Sequence, residues 1–355
     1  MMLTPGLTSI IVGCYNVASW LREKRLMSIR QQSYKQIEMI LVDDGSTDDT
    51  PLLLQNLASE DPRIRIITKK NGGLGSARNA GLEAARGEFV WFYDVDDEAS
   101  PLLVEKNVAW MTTHQSDLNV FGFEAITVST GLHEQVLFPD KLIEGNAQLH
   151  DIFLDSLFFV RYGNGFAWNK FYRRSFLERH AIRFGNQRIQ QDELFNLQVY
   201  PHTQRVYLSS EPLYNYFIYD QGNTRSRYIP DRYAIYQSVY DGICQFAENW
   251  RVSDPRLHDY ALHRLYEGMS QSILFNAFHP EAPFTPKERD EEILRILRHP
   301  KSQMCISYMT GHPSHAIESR LYLWAFRRPS ISGIRVLRQC FTALRRLKTF
   351  ITRTK

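Results

Sequence analysis

Three carboxylates stand together in Asp94-Val95-Asp96-Asp97, directly after the apolar run that ends at Tyr93. Hard oxygen ligands of this kind suit Mg2+ or Mn2+, and an ion so held is a Lewis acid for a group that leaves with growing negative charge, such as a diphosphate. Asp94, Asp96 and Asp97 are therefore the metal candidates, although the same run would also serve as an acidic loop before Pro101. A second acid cluster, Asp43-Asp44-Gly45-Ser46-Thr47-Asp48, follows another apolar run. A third, Asp192-Glu193, follows Gln190-Gln191 at the start of a helix-like stretch. A carboxylate at a helix N-terminus can accept a proton as a general base or can simply satisfy the helix dipole. Between these clusters lies Asn71-Gly72-Gly73-Leu74-Gly75-Ser76-Ala77-Arg78-Asn79-Ala80-Gly81. No G-x-G-x-x-G follows the first strand, which disfavours a dinucleotide-dependent dehydrogenase. The glycines suit a loop that brings Arg78 and a helix start up to a phosphate-bearing ligand.

The elements that must position these residues follow a βα alternation. Ser9 to Gly13, Ile37 to Asp44, Arg63 to Lys69 and Glu88 to Asp94 read as strands separated by helices, the pattern of a parallel sheet. Thr50 before Pro51 suits an N-cap, and the stretch Ser76 to Arg86 is expected to close on Gly87 as a C-cap. Ligands of open α/β sheets bind beyond the carboxyl ends of the strands, so the clusters at Asp44 and Asp94 should face one crevice. Asp117 to Val128 and Glu134 to Phe138 read as later strands, and Arg173 to His180 and Asp192 to Tyr200 as helices. From Pro230 to about His299 the pattern is helical, broken by Pro280, Pro283 and Pro286.

The chain of 355 residues has room for one large catalytic domain and a smaller appendage. It shows neither an apolar run long enough to span a bilayer nor a secretory start, and the expected location is the cytoplasm. Cys14, Cys244, Cys305 and Cys340 lie in no metal or disulfide spacing. Of the 42 Lys and Arg, ten fall from Ser319 onward with no Asp or Glu among them, leaving 32 against 39 acids before that point. In this tail Ile331, Ile334, Leu337, Phe341, Leu344, Leu347 and Ile351 recur at steps of three and four, flanked by Arg335, Arg338, Arg345, Arg346, Lys348 and Arg353. Such a helix suits an anionic membrane surface, and the competing assignments are docking on the acidic body or pairing with a second chain as a homodimer. The acidic body and the lack of interleaved aromatics argue against nucleic acid as a partner.

Taken in order, Val12-Gly13-Cys14-Tyr15-Asn16, Val42 to Asp48, Asn71 to Gly81 and Asp94 to Asp97 resemble the family 2 glycosyltransferases of the GT-A fold, bacterial lipopolysaccharide and surface-polysaccharide enzymes in particular. The resemblance runs from about residue 7 to 225. It implies an α/β architecture, the GT-A nucleotide-diphosphosugar transferase fold with a Rossmann-like mixed sheet and a helical C-terminal region. The expected division is a catalytic domain at 1–228, a helical subdomain at 229–318 and a basic amphipathic tail at 319–355. By the same resemblance Asp44 would accept the uracil N–H, Tyr15 and Gly13 would form the wall and floor beneath the base, and Arg78 would lie over the nucleotide. Asp94 and Asp96 would meet ribose or metal, with Asp97 or Asp94 on the metal. Gln191-Asp192 stands where the family has an acid pair, which gives Asp192 the place of the catalytic base and Glu193 that of its understudy. Trp168-Asn169-Lys170 resembles a stretch between the donor and acceptor halves. There Trp168 suits either a sugar ring or the core, Lys170 could face phosphate, and Arg225 or Arg227 could close over the diphosphate. The implied reaction is single, inverting, metal-dependent transfer (Mn2+ or Mg2+) from a nucleotide-sugar, a UDP-sugar first, to a glycolipid or polysaccharide acceptor. The protein would work as a peripheral protein on the inner face of the cell membrane. A dTDP- or GDP-sugar donor, or a non-catalytic sugar-nucleotide-binding protein, is the alternative.

Overall fold

The computed structural model describes residues 3–23, 25–145, 154–158, 165–219, 227–312 and 316–353, the side chains of 156, 157 and 345–353 excepted. Arg225 lies outside the described residues. The chain divides into two compact units, Met1–Asn223 and Thr224–Lys355.

The first unit is built on one mixed sheet. Strands β1 (Thr4–Cys14), β2 (Ile37–Asp43), β3 (Ile64–Thr68) and β4 (Gly87–Tyr93) form its parallel part in the order β3-β2-β1-β4. β2 is buried at every position, which explains its unbroken apolar run: a parallel strand covered on both faces needs no polar alternation. Beyond β4 the sheet continues through β9 (Lys170–Arg173), antiparallel to both β4 and β6 (Leu118–Thr127), to β10 (Arg205–Ile218), which runs parallel to β6. The pair Glu98–Ala99, β5, lies antiparallel on β10 and so ties the Asp94–Asp97 turn to that strand. β7 (Leu132–Val136) and β8 (Lys141–Glu144) pair with β6 and β10.

The four early strands stand where the βα alternation places them, but two junctions differ. Thr50 is the first residue of the helix Thr50–Glu60 rather than its cap, and its Oγ1 accepts the Val17 N–H at 2.9 Å. Its own N–H is met by Asp48 Oδ1 at 3.0 Å, so the short acid two residues earlier does the local work. Gly87 opens β4 instead of closing a helix, because the helix Leu74–Ala84 already ends on extended Ala85.

The second unit is helical, with a core of Tyr233, Leu265, Met269, Ile293, Leu297, Cys305, Phe326 and Ile334 among others. Of the three expected proline breaks only Pro286 is a helix start, and Pro280 and Pro283 lie in the loop before it. Pro255 begins the helix Pro255–Leu274 under an Asp254 cap, and Pro286 begins Pro286–Arg298 behind a Thr285–Glu288 capping box. The basic helix Ile331–Arg353 is partly absorbed into this unit. Ile334 is fully buried, Ile331, Leu337 and Phe341 pack on the core, and Arg335 bonds both oxygens of Asp290 at 2.6 and 2.7 Å. Among the described residues no helix is long and apolar enough to cross a membrane.

Candidate active site

β1, β2 and β4 run parallel and end together at Cys14, Asp43 and Tyr93, so the residues that follow each strand collect along one edge of the sheet. Tyr15, just past β1, is 44% exposed there. Gly13 packs under the start of the helix Leu74–Ala84, where a Cβ would come within 2.7 Å of Leu74 Cδ1 and displace that side chain. Asp44 is buried and fully engaged. Lys69 Nζ donates to it at 2.6 Å, Gly73 N–H at 2.7 Å, and Gly72 N–H to both oxygens at 3.0 and 3.1 Å. A carboxylate with an ammonium and two backbone donors on it is a clamp, and what it clamps is the glycine-rich loop. Lys69 carried no sequence signal of this role, since a lysine ending a strand is ordinary.

The same helix also carries Arg78. Gly75 lets the helix lie against the 184–191 segment, where a Cβ would meet Phe184 Cβ at 3.1 Å and Gln191 Cγ at 3.5 Å. Asn79 then exchanges two hydrogen bonds with the Phe184 backbone, each 2.9 Å. This contact brings the helix Gln191–Val199 beside Arg78, whose guanidinium is 1% exposed. Arg78 donates to Asp94 Oδ1 at 2.7 Å and, through its other terminal nitrogen, to Asp192 Oδ1, and it lies over the Phe184 ring at 5.1 Å. Burial opposes its charge, but the two carboxylates outweigh burial and raise its pKa. Its Nε has no acceptor among the described residues. Arg78 thus bridges Asp94 and Asp192 with its side chain 1% exposed. Asp192 Oδ2 accepts the Ala167 N–H at 3.0 Å, which fixes the carboxylate at both oxygens.

The Asp94–Asp97 turn divides its labour. Burial raises the pKa of Asp94, Arg78 lowers it, and Asp192 raises it again, with a net rise. Burial and the neighbouring Asp94 push Asp96 up to about 6, against the opposing effect of a backbone N–H, Arg25 and Arg78. Asp97 is held inside the unit at 1% exposure, with Oδ2 accepting from Tyr214 Oη at 2.8 Å and Oδ1 from the Phe217 N–H at 2.9 Å. Burial, Asp96 and Asp94 together raise its pKa well above the usual carboxylate range. Its oxygens are spent on β10, so of the three expected metal carboxylates it is the one the fold engages elsewhere. Among the described residues no group of three or more His, Cys, Asp or Glu is arranged to hold a metal.

Four further expectations resolve into packing. Trp168 is 1% exposed and stacks on Tyr214 at 4.3 Å and Phe166 at 4.7 Å, so the core, not a sugar ring, receives it. Lys170 is fully buried and donates to the Phe166 carbonyl at 2.5 Å and Asn169 Oδ1 at 2.9 Å, so it does not reach a phosphate at this edge. Burial pulls its pKa down to about 7 against the opposing effect of Asp192. Gln191 is buried against Gly75, and Glu193 is 2% exposed, whereas Asp192 keeps 15% of its side chain open.

A Rossmann-like sheet with acidic turns gathered at its carboxyl edge and a helical C-terminal unit defines a glycosyltransferase of the GT-A fold. Residues 9–208 match the model of glycosyl transferase family 2, and the chain belongs to that family. It is 34% identical over 221 residues to EpsH of Bacillus subtilis, covering 61% of this chain and 62% of EpsH, which is less than two thirds of that relative. It is 44% identical over 92 residues, 25% of this chain and 29% of the relative, to a Campylobacter jejuni GalNAc(5)-diNAcBac-PP-undecaprenol beta-1,3-glucosyltransferase. Among solved structures it shares its fold with S. aureus TarS 1-349 in complex with UDP-GlcNAc, with a TM-score of 0.60, 21% identity, and coverage of 95% of this chain and 92% of that one.

Proposed function

We propose that this glycosyltransferase moves one sugar from a UDP-sugar onto a hydroxyl of a lipopolysaccharide-core, lipid-linked or surface-polysaccharide acceptor, with inversion at the anomeric carbon. The observation that carries the proposal is the meeting of Asp192 and Asp94 on buried Arg78 at the carboxyl edge of the sheet, where α/β folds bind their ligands. Asp192 is the general base. The acceptor O–H gives its proton to this carboxylate as the acceptor oxygen bonds to the anomeric carbon, and the bond from that carbon to the diphosphate oxygen breaks. Attack from the face opposite the leaving group gives inversion. Arg78 and the Ala167 N–H hold the base in place, leaving its partly open side for the acceptor.

The raised pKa of Asp96 beside Asp94 fits a divalent cation, because a bound cation would relieve the crowding of two carboxylates. Asp96 and Asp94 would hold Mn2+ or Mg2+ together with donor phosphate oxygens, and the ion would supply charge for the departing diphosphate. Asp97 acts by position, tying the turn to β10. Exposed Tyr15 offers a ring to the base, and Asp44 shapes that pocket through the glycine loop that it clamps. Support for UDP comes from TarS, solved with UDP-GlcNAc and with UDP, and support for a lipid-linked acceptor from the relative named for a PP-undecaprenol glycan. The basic C-terminal helices would keep the protein on the inner face of the cell membrane.

A screen of UDP-, dTDP- and GDP-sugars by released nucleotide, with and without Mn2+, tests the assignment. The expected result is UDP release that Mn2+ stimulates and chelation stops, with Asp96→Ala losing the stimulation. Faster turnover of another nucleotide-sugar would replace the donor. UDP binding with no turnover of any donor would make the protein a non-catalytic sugar-nucleotide binder.

A further inference from the structure

The basic stripe at Ile331 to Ile351 is the obvious membrane surface in the sequence, yet its first half is spent on the core. Ile334 is fully buried, and Ile331, Leu337 and Phe341 pack against the same cluster. The helix before it shows the opposite arrangement. In Ile317–Arg327, Tyr322, Leu323, Ala325 and Phe326 are buried, which accounts for one face. Ile317, Leu321 and Trp324, at steps of four and three on the other face, are 72%, 40% and 52% exposed. Arg320, Arg327 and Arg328 flank them and are exposed as well. A helix whose packed face is already satisfied has no folding reason to show an isoleucine, a leucine and a tryptophan to water.

We infer that the exposed face of the helix Ile317–Arg327 is the surface that docks on an anionic lipid bilayer. This inference rests on the membrane association proposed above and names the residues that make it. Two observations choose lipid as the occupant. The first is charge complementarity: Glu318 is the helix's one acid, and from Ser319 to the end the chain carries ten basic and no acidic residues, after a preceding part that is acidic. The second is the composition of the face. An indole one turn beyond two branched aliphatic side chains, with arginines at the margin, matches the headgroup region, where the ring lies at the apolar boundary and guanidinium groups meet phosphate. The buried half of the following helix supplies a rigid support and not the contact.

The test uses the full chain and sedimentation with vesicles of phosphatidylglycerol and phosphatidylcholine, against phosphatidylcholine alone. Three proteins are compared: wild type, Ile317→Ser/Leu321→Ser/Trp324→Ser, and Val336→Ser/Leu344→Ser, the last altering exposed apolar positions on the following helix. All substitutions are at exposed positions, and an unchanged melting temperature checks the fold. Wild type should sediment with the anionic vesicles, the triple variant should bind about tenfold or more weakly, and the double variant should bind as wild type does. If the triple variant binds like wild type, this surface is wrong while membrane association stands. If wild type binds neither kind of vesicle, membrane association itself fails. If the triple substitution converts a dimer to a monomer in sedimentation velocity, the face joins copies of the chain and the inference is overturned.

Discussion

Two acid clusters sit at the carboxyl edge of one sheet, and they are built in opposite ways. After β2, Asp44 is well supplied with donors: the Lys69 ammonium and two glycine N–H groups balance its carboxylate and hold it in place. After β4, Asp94 and Asp96 share their surroundings with Asp192 and one buried guanidinium, and burial with mutual repulsion raises the pKa of both turn carboxylates. A site complete in itself holds structure. A site with surplus negative charge suits the cation and the acceptor hydroxyl of the proposed transfer.

The sharpest way to break this contrast is to remove the cation from the crowded side. Arg78→Met should leave Asp94 and Asp192 facing each other without compensation, costing about 3–5 kcal/mol of stability and most of the transfer activity. A melting curve unchanged from wild type would mean that the two carboxylates do not depend on Arg78. On the satisfied side, Asp44→Asn should cost less, about 1.5–3 kcal/mol for weakened hydrogen bonds from charged or backbone donors. It should also loosen the glycine loop, read as faster amide exchange at Gly72 and Gly73. If Asp44→Asn proved as damaging as Arg78→Met, the two clusters would not differ in the way described.

A further effect is one of pH. Burial lowers the Lys170 pKa from 10.5 to about 7, so between those values the unfolded chain binds a proton that the folded chain has released. Stability should therefore rise with pH across that window, and the contribution is lost as pH falls through about 7. Lys170→Met should flatten the rise in denaturant midpoint between pH 7 and 10. An identical slope in the variant would assign the proton to another group.

Much of the sheet was legible because it is written locally: unbroken apolar runs, acids at their ends and a glycine-rich helix start in a fixed order. What the sequence hid are partnerships across long separations. Nothing near Arg78 signals that its partner lies at Asp192, and nothing near Asp97 signals Tyr214 and Phe217. Trp168 read equally as a sugar platform or as core until β10 supplied Tyr214 and Tyr216 to stack on it. In the tail, periodicity announced an amphipathic helix at Ile331 to Ile351 but not which side the rest of the unit would cover. That depended on Asp290, Leu274 and Tyr322 arriving from three other helices.

The proposed reaction has Asp192 take the acceptor proton while Arg78 and the Ala167 N–H hold the carboxylate in place. It is tested most directly by Asp192→Asn, assayed in parallel for UDP-sugar turnover with acceptor and for UDP binding by calorimetry. Transfer should fall about 10²- to 10⁴-fold with UDP affinity close to that of wild type. Transfer at the wild-type rate, with binding intact, would contradict it and move the base to another residue.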